Sequence, residues 1–184
     1  MSARDVALAW ARTQLGAPVL MGYRGDLRFD RELRHLVPHE LGLLVWDCSG
    51  YVGGGIKAAG GPDLRGTHNA QKYHDDMRPL GPGEIVLPGD CVFYGLTGPT
   101  DVEHVVFWAG SVDPVGGAPA PLPTWWQGHV LSADGATHAI TDLAVAKAKG
   151  CIVREHDRVL YRGDCKYVVA RRNIFLDRLD GIER

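Results

Sequence analysis

Apolar and polar positions along this chain follow a helical period in its first third and gather into short apolar runs in its second half. From Ser2 to Leu15, Val6, Ala9, Trp10, the methyl of Thr13 and Leu15 recur at three-to-four spacing, which predicts a helix with Ser2 as N-cap and Gly16 as its stop. Residues 17–43, rich in Gly, Arg and Pro, keep no period and read as a long surface connection with a short helical turn near Arg31 to Leu36. The stretch WDCSGYVGGGIKAA within 45–59 predicts a second helix, although glycine costs a helix about 1 kcal/mol per residue. Three adjacent glycines make sense if that helix is pressed against a sheet, with Cys48 in its first turn. His68 to Met77 reads as a short amphipathic helix.

Beyond residue 90 short apolar runs take over. CVFYG (91–95), HVVFWAG (104–110), HVLSADG (129–135), CIVRE (151–155) and KYVVARR (166–172) are strand candidates separated by Gly, Pro and Asp clusters, with a short helix over 142–150. Residues 111–128 form an extended connection tipped by Trp125 and Trp126, a pair that either stacks on a ligand or closes over the core. Helices first and strands afterwards predict an α+β fold, the early helices packed on an antiparallel sheet.

Composition narrows the function classes. The 184 residues, 45% hydrophobic and 23% charged, suit a single domain over 1–184 that buries roughly 70% of its unfolded surface without staples. No apolar run approaches the roughly 20 residues that cross a bilayer. The net charge of −2 gives no electrostatic basis for binding nucleic acid, so the expected partner is a small or mixed-charge ligand. Arg4, Asp5, Arg12 and Gln14 interrupt the opening segment, which reads as that of a chain made in the cytoplasm without a secretory signal.

The four cysteines, Cys48, Cys91, Cys151 and Cys165, form no CxxC pair, and His35 and His39 are separated by the helix-breaking Pro38, so neither metal nor any other cofactor is expected. Cys151 and Cys165 could approach one another across a hairpin but read as separate thiols, and Cys91 reads as core. What remains is a thiolate activated by an imidazole. Cys48 at a helix start meets the positive end of the macrodipole, and the N–H of Cys48 or Ser49 could serve as an oxyanion donor. His104, after the polar GPTDVE, would stand with its ring at the mouth of the sheet.

The blocks AWARTQLGAP, WDCSGYV, LPGDCVFY, EHVVFWAG and VLSADG, in that order over most of residues 3–135, resemble the signature blocks of the NlpC/P60 cysteine peptidases, which hydrolyse peptides of bacterial peptidoglycan. The remaining tail resembles phage-associated members. On the matching positions the resemblance implies a papain-like fold, Cys48 as nucleophile and His104 as general base. Ser132 falls where the family places a third polar residue, usually His; Asp134, His129 and His138 are alternatives, and by strand alternation Asp134 shares Ser132's face whereas His129 does not. Val19 stands where the family commonly has a Tyr, which Tyr23 replaces only if the loop rewinds. Asp47 matches an acidic neighbour that contacts the substrate's amino group in some members, and equally suits capping the helix.

The implied activity is cleavage of a stem-peptide amide in peptidoglycan, either at a D-glutamyl–diamino acid bond or at the muramoyl-alanine amide, with the cell wall reached by a phage-type or signal-less route. The departures at Val19 and Ser132 keep open a non-catalytic phage tail or wall-binding module that retains the fold.

Overall fold

The computed structural model describes residues 1–30, 32–33, 35–110, 124–135 and 139–182. Helix α1 (Ala3–Thr13) starts with a capping box: the Ser2 hydroxyl accepts the Asp5 N–H while the Asp5 carboxylate accepts the Ser2 N–H. Gly16, at φ +83°, turns the chain after it. The buried side of α1 is Ala3, Arg4, Ala7, Leu8 and Ala11, two positions away from the face expected from Val6, Ala9 and Trp10 and so nearly the opposite side of the helix; Ala9 is exposed. Small alanines do not stand out in a hydrophobic pattern, yet they allow α1 to lie close to the next helix.

The connection that follows contains strands, and no helical turn among its described residues. β1 (Arg24–Gly25) leads into a hairpin of β2 (Leu27–Asp30) and β3 (His35–Pro38), and β4 (Val45–Trp46) returns antiparallel to β1. The Asp30 carboxylate accepts the N–H groups of Glu32 and Leu33, an Asx turn that reverses the chain. Most of this hairpin is exposed or half-buried, so it lacks the alternation by which a strand announces itself.

Helices α2 (Cys48–Ala58) and α3 (Ala70–Asp76) are capped by Asp47 and Asn69. There follow β5 (Arg78–Pro79), β6 (Cys91–Gly95), β7 (Val102–Gly110), β8 (His129–Ala133), α4 (Leu143–Ala148), β9 (Val153–His156), β10 (Tyr167–Arg172) and α5 (Ile174–Leu179). The six-stranded sheet runs β5-β10-β6-β7-β8-β9 with every neighbouring pair antiparallel. The architecture is therefore the expected α+β arrangement. Both faces of the central strands are covered. Phe93, Phe107 and Leu131 join α1 and α2 in the larger cluster, while Val92, Tyr94, Val106, Trp108 and Val130 form a second one with Trp125. Trp125 is buried and its carbonyl accepts the Trp108 indole N–H at 3.2 Å, so with Trp126 stacked on it at 4.5 Å the pair closes over the core.

Asp90 of the PGD block is a buried anion that ties the termini to the sheet. It meets Arg4 of α1 at 2.9 Å and Arg172 of β10 at 3.5 Å, and accepts the N–H of Asn173 at the start of α5. No helix among the described residues is long and apolar enough to cross a membrane.

The three glycines of α2 are explained by contact distances. A Cβ on Gly53 would lie 2.7 Å from the Tyr73 hydroxyl, on Gly54 2.4 Å from the Trp10 ring, and on Gly55 2.7 Å from the Phe107 ring. Helix propensity is given up for close approach. Gly55→Ala is expected to destabilise the protein by about 1–3 kcal/mol through overpacking against the fully buried Phe107, despite its gain in helix propensity. Gly98→Ala, where an added Cβ meets nothing within 4 Å, should change stability by less than about 0.5 kcal/mol. Urea unfolding of both variants checks this.

Candidate active site

Cys48 is the first residue of α2, and Asp47 fixes that start. One Asp47 oxygen accepts the Gly50 N–H at 2.6 Å and the Ser49 hydroxyl at 2.9 Å; the other accepts the Gly22 N–H at 3.1 Å and pairs with Arg24 at 2.9 Å. Asp47 borders the cleft, but its carboxylate is committed to these four bonds, and the Ser49 hydroxyl is buried against it. The N–H groups of Cys48 and Ser49 lie in the first turn, where no intrahelical acceptor exists.

Of the cysteines, Cys48 is half-buried and lines a cavity of about 970 Å3. Cys91 is fully enclosed, and burial pushes its thiol pKa well up. Cys151 is buried with its thiol on the Gly135 carbonyl at 3.2 Å, and Cys165 sits half-buried beside Asp164. All four thiols are free.

His104 is the third residue of β7; it is only 6% exposed, and it lines the same cavity as Cys48. Its Nε2 lies 2.9 Å from the Ser132 hydroxyl, 2.9 Å from the Tyr161 hydroxyl and 3.3 Å from Asp134 Oδ1. The Ser132 and Tyr161 hydroxyls donate to that same Asp134 oxygen at 2.7 and 3.0 Å. With both hydroxyl protons directed at the carboxylate, each hydroxyl oxygen is left as an acceptor toward the ring, which places a proton on Nε2. Nδ1 is then left for Cys48, whose sulfur is 3.9 Å from the carbonyl of Glu103, the residue preceding His104.

Burial alone would lower the His104 pKa, but the charge of a Cys48 thiolate and the hydrogen bonds to Asp134 and Cys48 outweigh it, and the ring is raised to about 9. Asp134 is held well below the usual carboxylate range. Its burial opposes ionisation, but hydrogen bonds from His104 and His156, joined by Ser132, prevail. His156 contacts the second Asp134 oxygen and stacks flat on Tyr161, with ring centroids 3.7 Å apart.

Ser132 and Asp134 thus both reach the imidazole, and neither excludes the other. His129 pairs with Glu155 at 3.1 Å, away from His104, and His138 lies outside the described residues. Val19 lines the cavity with Cys48, whereas Tyr23 faces His39 and borders a separate hollow, so Tyr23 does not replace it. Sequence reasoning missed Tyr161 and His156. Tyr161 sits in an irregular turn far along the chain from His104, without any local pattern to mark it. His156 ends β9, and its register opposite Val130 places it on the face of Ser132, a signal available only once the pairing is known.

His104 is expected to titrate near pH 9 by NMR, with Asp134→Asn and Cys48→Ala each lowering that value. Because the folded pKa lies above the unfolded value of about 6.5, the stability His104 contributes is complete below about pH 6.5. It is lost as pH rises through about 9, so the stability advantage over Asp134→Asn should narrow across that window.

No protein-family model and no curated protein matches this chain. Among solved structures, an NlpC/P60 family protein from Bacillus cereus superposes with a TM-score of 0.58 at 14% identity, covering 94% of this chain and 40% of the other. NlpC2 from Trichomonas vaginalis gives 0.55 at 18% identity, covering 93% and 46%. The peptidoglycan hydrolase RipB from Mycobacterium tuberculosis gives 0.54 at 18% identity, covering 92% and 64%. The chain spans about 40–64% of the length of these proteins. At such identities the likeness concerns architecture: this chain has an NlpC/P60-like, papain-type fold.

Proposed function

We propose that this protein is a peptidoglycan hydrolase that cleaves an amide of the stem peptide through a Cys48–His104 thiol mechanism, acting at the bacterial cell wall. The observation that carries the reading is a buried imidazole whose Nε2 is saturated by Ser132, Tyr161 and Asp134, leaving its other nitrogen for the helix-borne thiol beside a cavity. The likeness to RipB, itself a peptidoglycan hydrolase, supports the substrate class.

The Cys48 thiolate attacks the scissile carbonyl carbon, forming a C–S bond while the carbonyl π pair moves to oxygen. The N–H groups of Cys48 and Ser49 face that developing oxyanion. As the tetrahedral intermediate collapses, the C–N bond breaks and His104 Nδ1–H protonates the departing amine. The now neutral imidazole takes a proton from water, which attacks the thioester, and the thiolate leaves. Asp134 holds the ring and stabilises its cationic form, while the hydroxyls of Ser132 and Tyr161 set its tautomer. Ser49 acts here through its backbone, and Asp47 through the helix start. The favoured bond is the D-glutamyl–diamino acid link, with the muramoyl-alanine amide as the other site.

Incubation with peptidoglycan sacculi should release new amines, and Cys48→Ala should release none. Equal release by the two proteins, or none by either, would sink the proposal. Mass spectrometry of defined muropeptides after digestion names the bond. Ser132→Ala should lower kcat about 10-fold, since Asp134 and Tyr161 still hold the ring, and Asp134→Asn about 100-fold or more. The alkaline limb of kcat should fall near pH 9, where His104 loses the proton that the leaving amine requires.

A further inference from the structure

The cavity beside Cys48 carries an imbalance of charge that catalysis does not use. Of the acidic side chains on its walls, Asp47 is paired with Arg24, Asp134 with His104 and His156, and Asp164 with Arg162. Glu103 is left exposed on one side. On the wall built by the end of α4 and the start of β9 stand Lys149 and Arg154, neither of which meets a carboxylate among the described residues.

Arg154 is held in place. It sits directly opposite Ser132 in the β8–β9 register, so it rises from the same face of the sheet as the residue that touches His104. One terminal nitrogen donates to the Gly150 carbonyl, just past the end of α4, where a φ of +68° turns the chain back toward β9. Its Nε is buried without an acceptor. The other terminal nitrogen, Nη1, makes no hydrogen bond among the described residues and is not enclosed. Among the described residues the Gly150 carbonyl is the one acceptor this half-buried guanidinium meets, and an anionic ligand would engage the donors left over. Lys149, the exposed C-cap of α4, adds a second charge on the same wall.

We propose that Arg154 and Lys149 form a carboxylate-binding subsite that selects substrates bearing a free carboxylate beside the scissile amide. The subsite rests on the reading of this cleft as a site of peptide cleavage and specifies which peptides it takes. Arg154 supplies the directed N–H donors, and Lys149 the longer-range attraction. Replacing the carboxylate by a carboxamide removes the charge and turns an NH2 group toward the guanidinium, so recognition falls without any change in size.

Binding is measured by calorimetry on the full chain carrying Cys48→Ala, which holds substrate uncut, with two stem peptides that differ only in a free α-carboxylate or a carboxamide next to the scissile bond. The carboxylate peptide should bind at least about 10-fold tighter. Adding Arg154→Gln should reduce that preference to under about 2-fold, and adding Lys149→Gln should reduce it about 3-fold. Lys149 is exposed, so this second variant remains informative if the Arg154 substitution disturbs folding. Equal binding of the two peptides, or an unchanged preference in both variants, overturns the subsite. If the unsubstituted enzyme cuts sacculi while binding is indifferent to the carboxylate, the subsite falls and the hydrolase reading stands. If nothing is cut but the carboxylate peptide binds in an Arg154-dependent way, the hydrolase reading falls and the subsite stands. If neither peptide binds, the subsite falls; the sacculus assay decides the hydrolase separately.

Discussion

The close seating of α2 against α1 and β7 is the constraint on which the rest depends. Gly54 and Gly55 lie where any side chain would enter the rings of Trp10 and Phe107, so the helix packs at a distance that only glycine permits. The Asp47 carboxylate then locks the first turn to the preceding loop through Gly22 and Arg24. A thiol at the start of such a helix has little freedom, and His104 stands on β7, the strand that also supplies Phe107. Packing density and the geometry of the site are one problem here, because a helix moved outward by a methyl group would carry Cys48 with it.

Asp134 is the electrostatic centre of the site. Two imidazoles and two hydroxyls converge on its oxygens. An ionised carboxylate in a place this enclosed persists because both of its oxygens are engaged, and the same bonds orient the His104 ring. The position beside the His104 ring is accordingly shared. Ser132 alone would hold an imidazole weakly, but Ser132 and Tyr161 both relay the Asp134 charge, which supplies the strength that a neutral hydroxyl lacks. His156, stacked on Tyr161, fixes the far side of the carboxylate.

Much of this was readable in the chain, for reasons tied to locality. The DCSGYV run places a cap, a thiol and a close-packing helix within a few residues, so Cys48 and its setting are encoded in short-range pattern. The short apolar runs after residue 90, bounded by Gly, Pro and Asp, declare the sheet, and strand geometry puts Ser132 and Asp134 on one face. Where the pattern misled, the cause was physical. The buried side of α1 is marked by alanines, whose small size lets helices touch but barely registers as hydrophobicity. The β2–β3 hairpin shows too little burial to alternate, and its turn is made by one aspartate.

The sequence by itself determined the local chemistry: a cysteine at a helix start, a histidine in a strand, and an α+β order of elements. Tertiary structure alone decided which distant groups complete the site. Tyr161 and His156 reach His104 and Asp134 because β9 pairs with β8 in one register and the following turn folds back over the sheet. Arg154 faces the cleft for the same reason. Such contacts depend on strand order and pairing offset, which are set by the burial of the whole sheet, and no window of neighbouring residues contains that information.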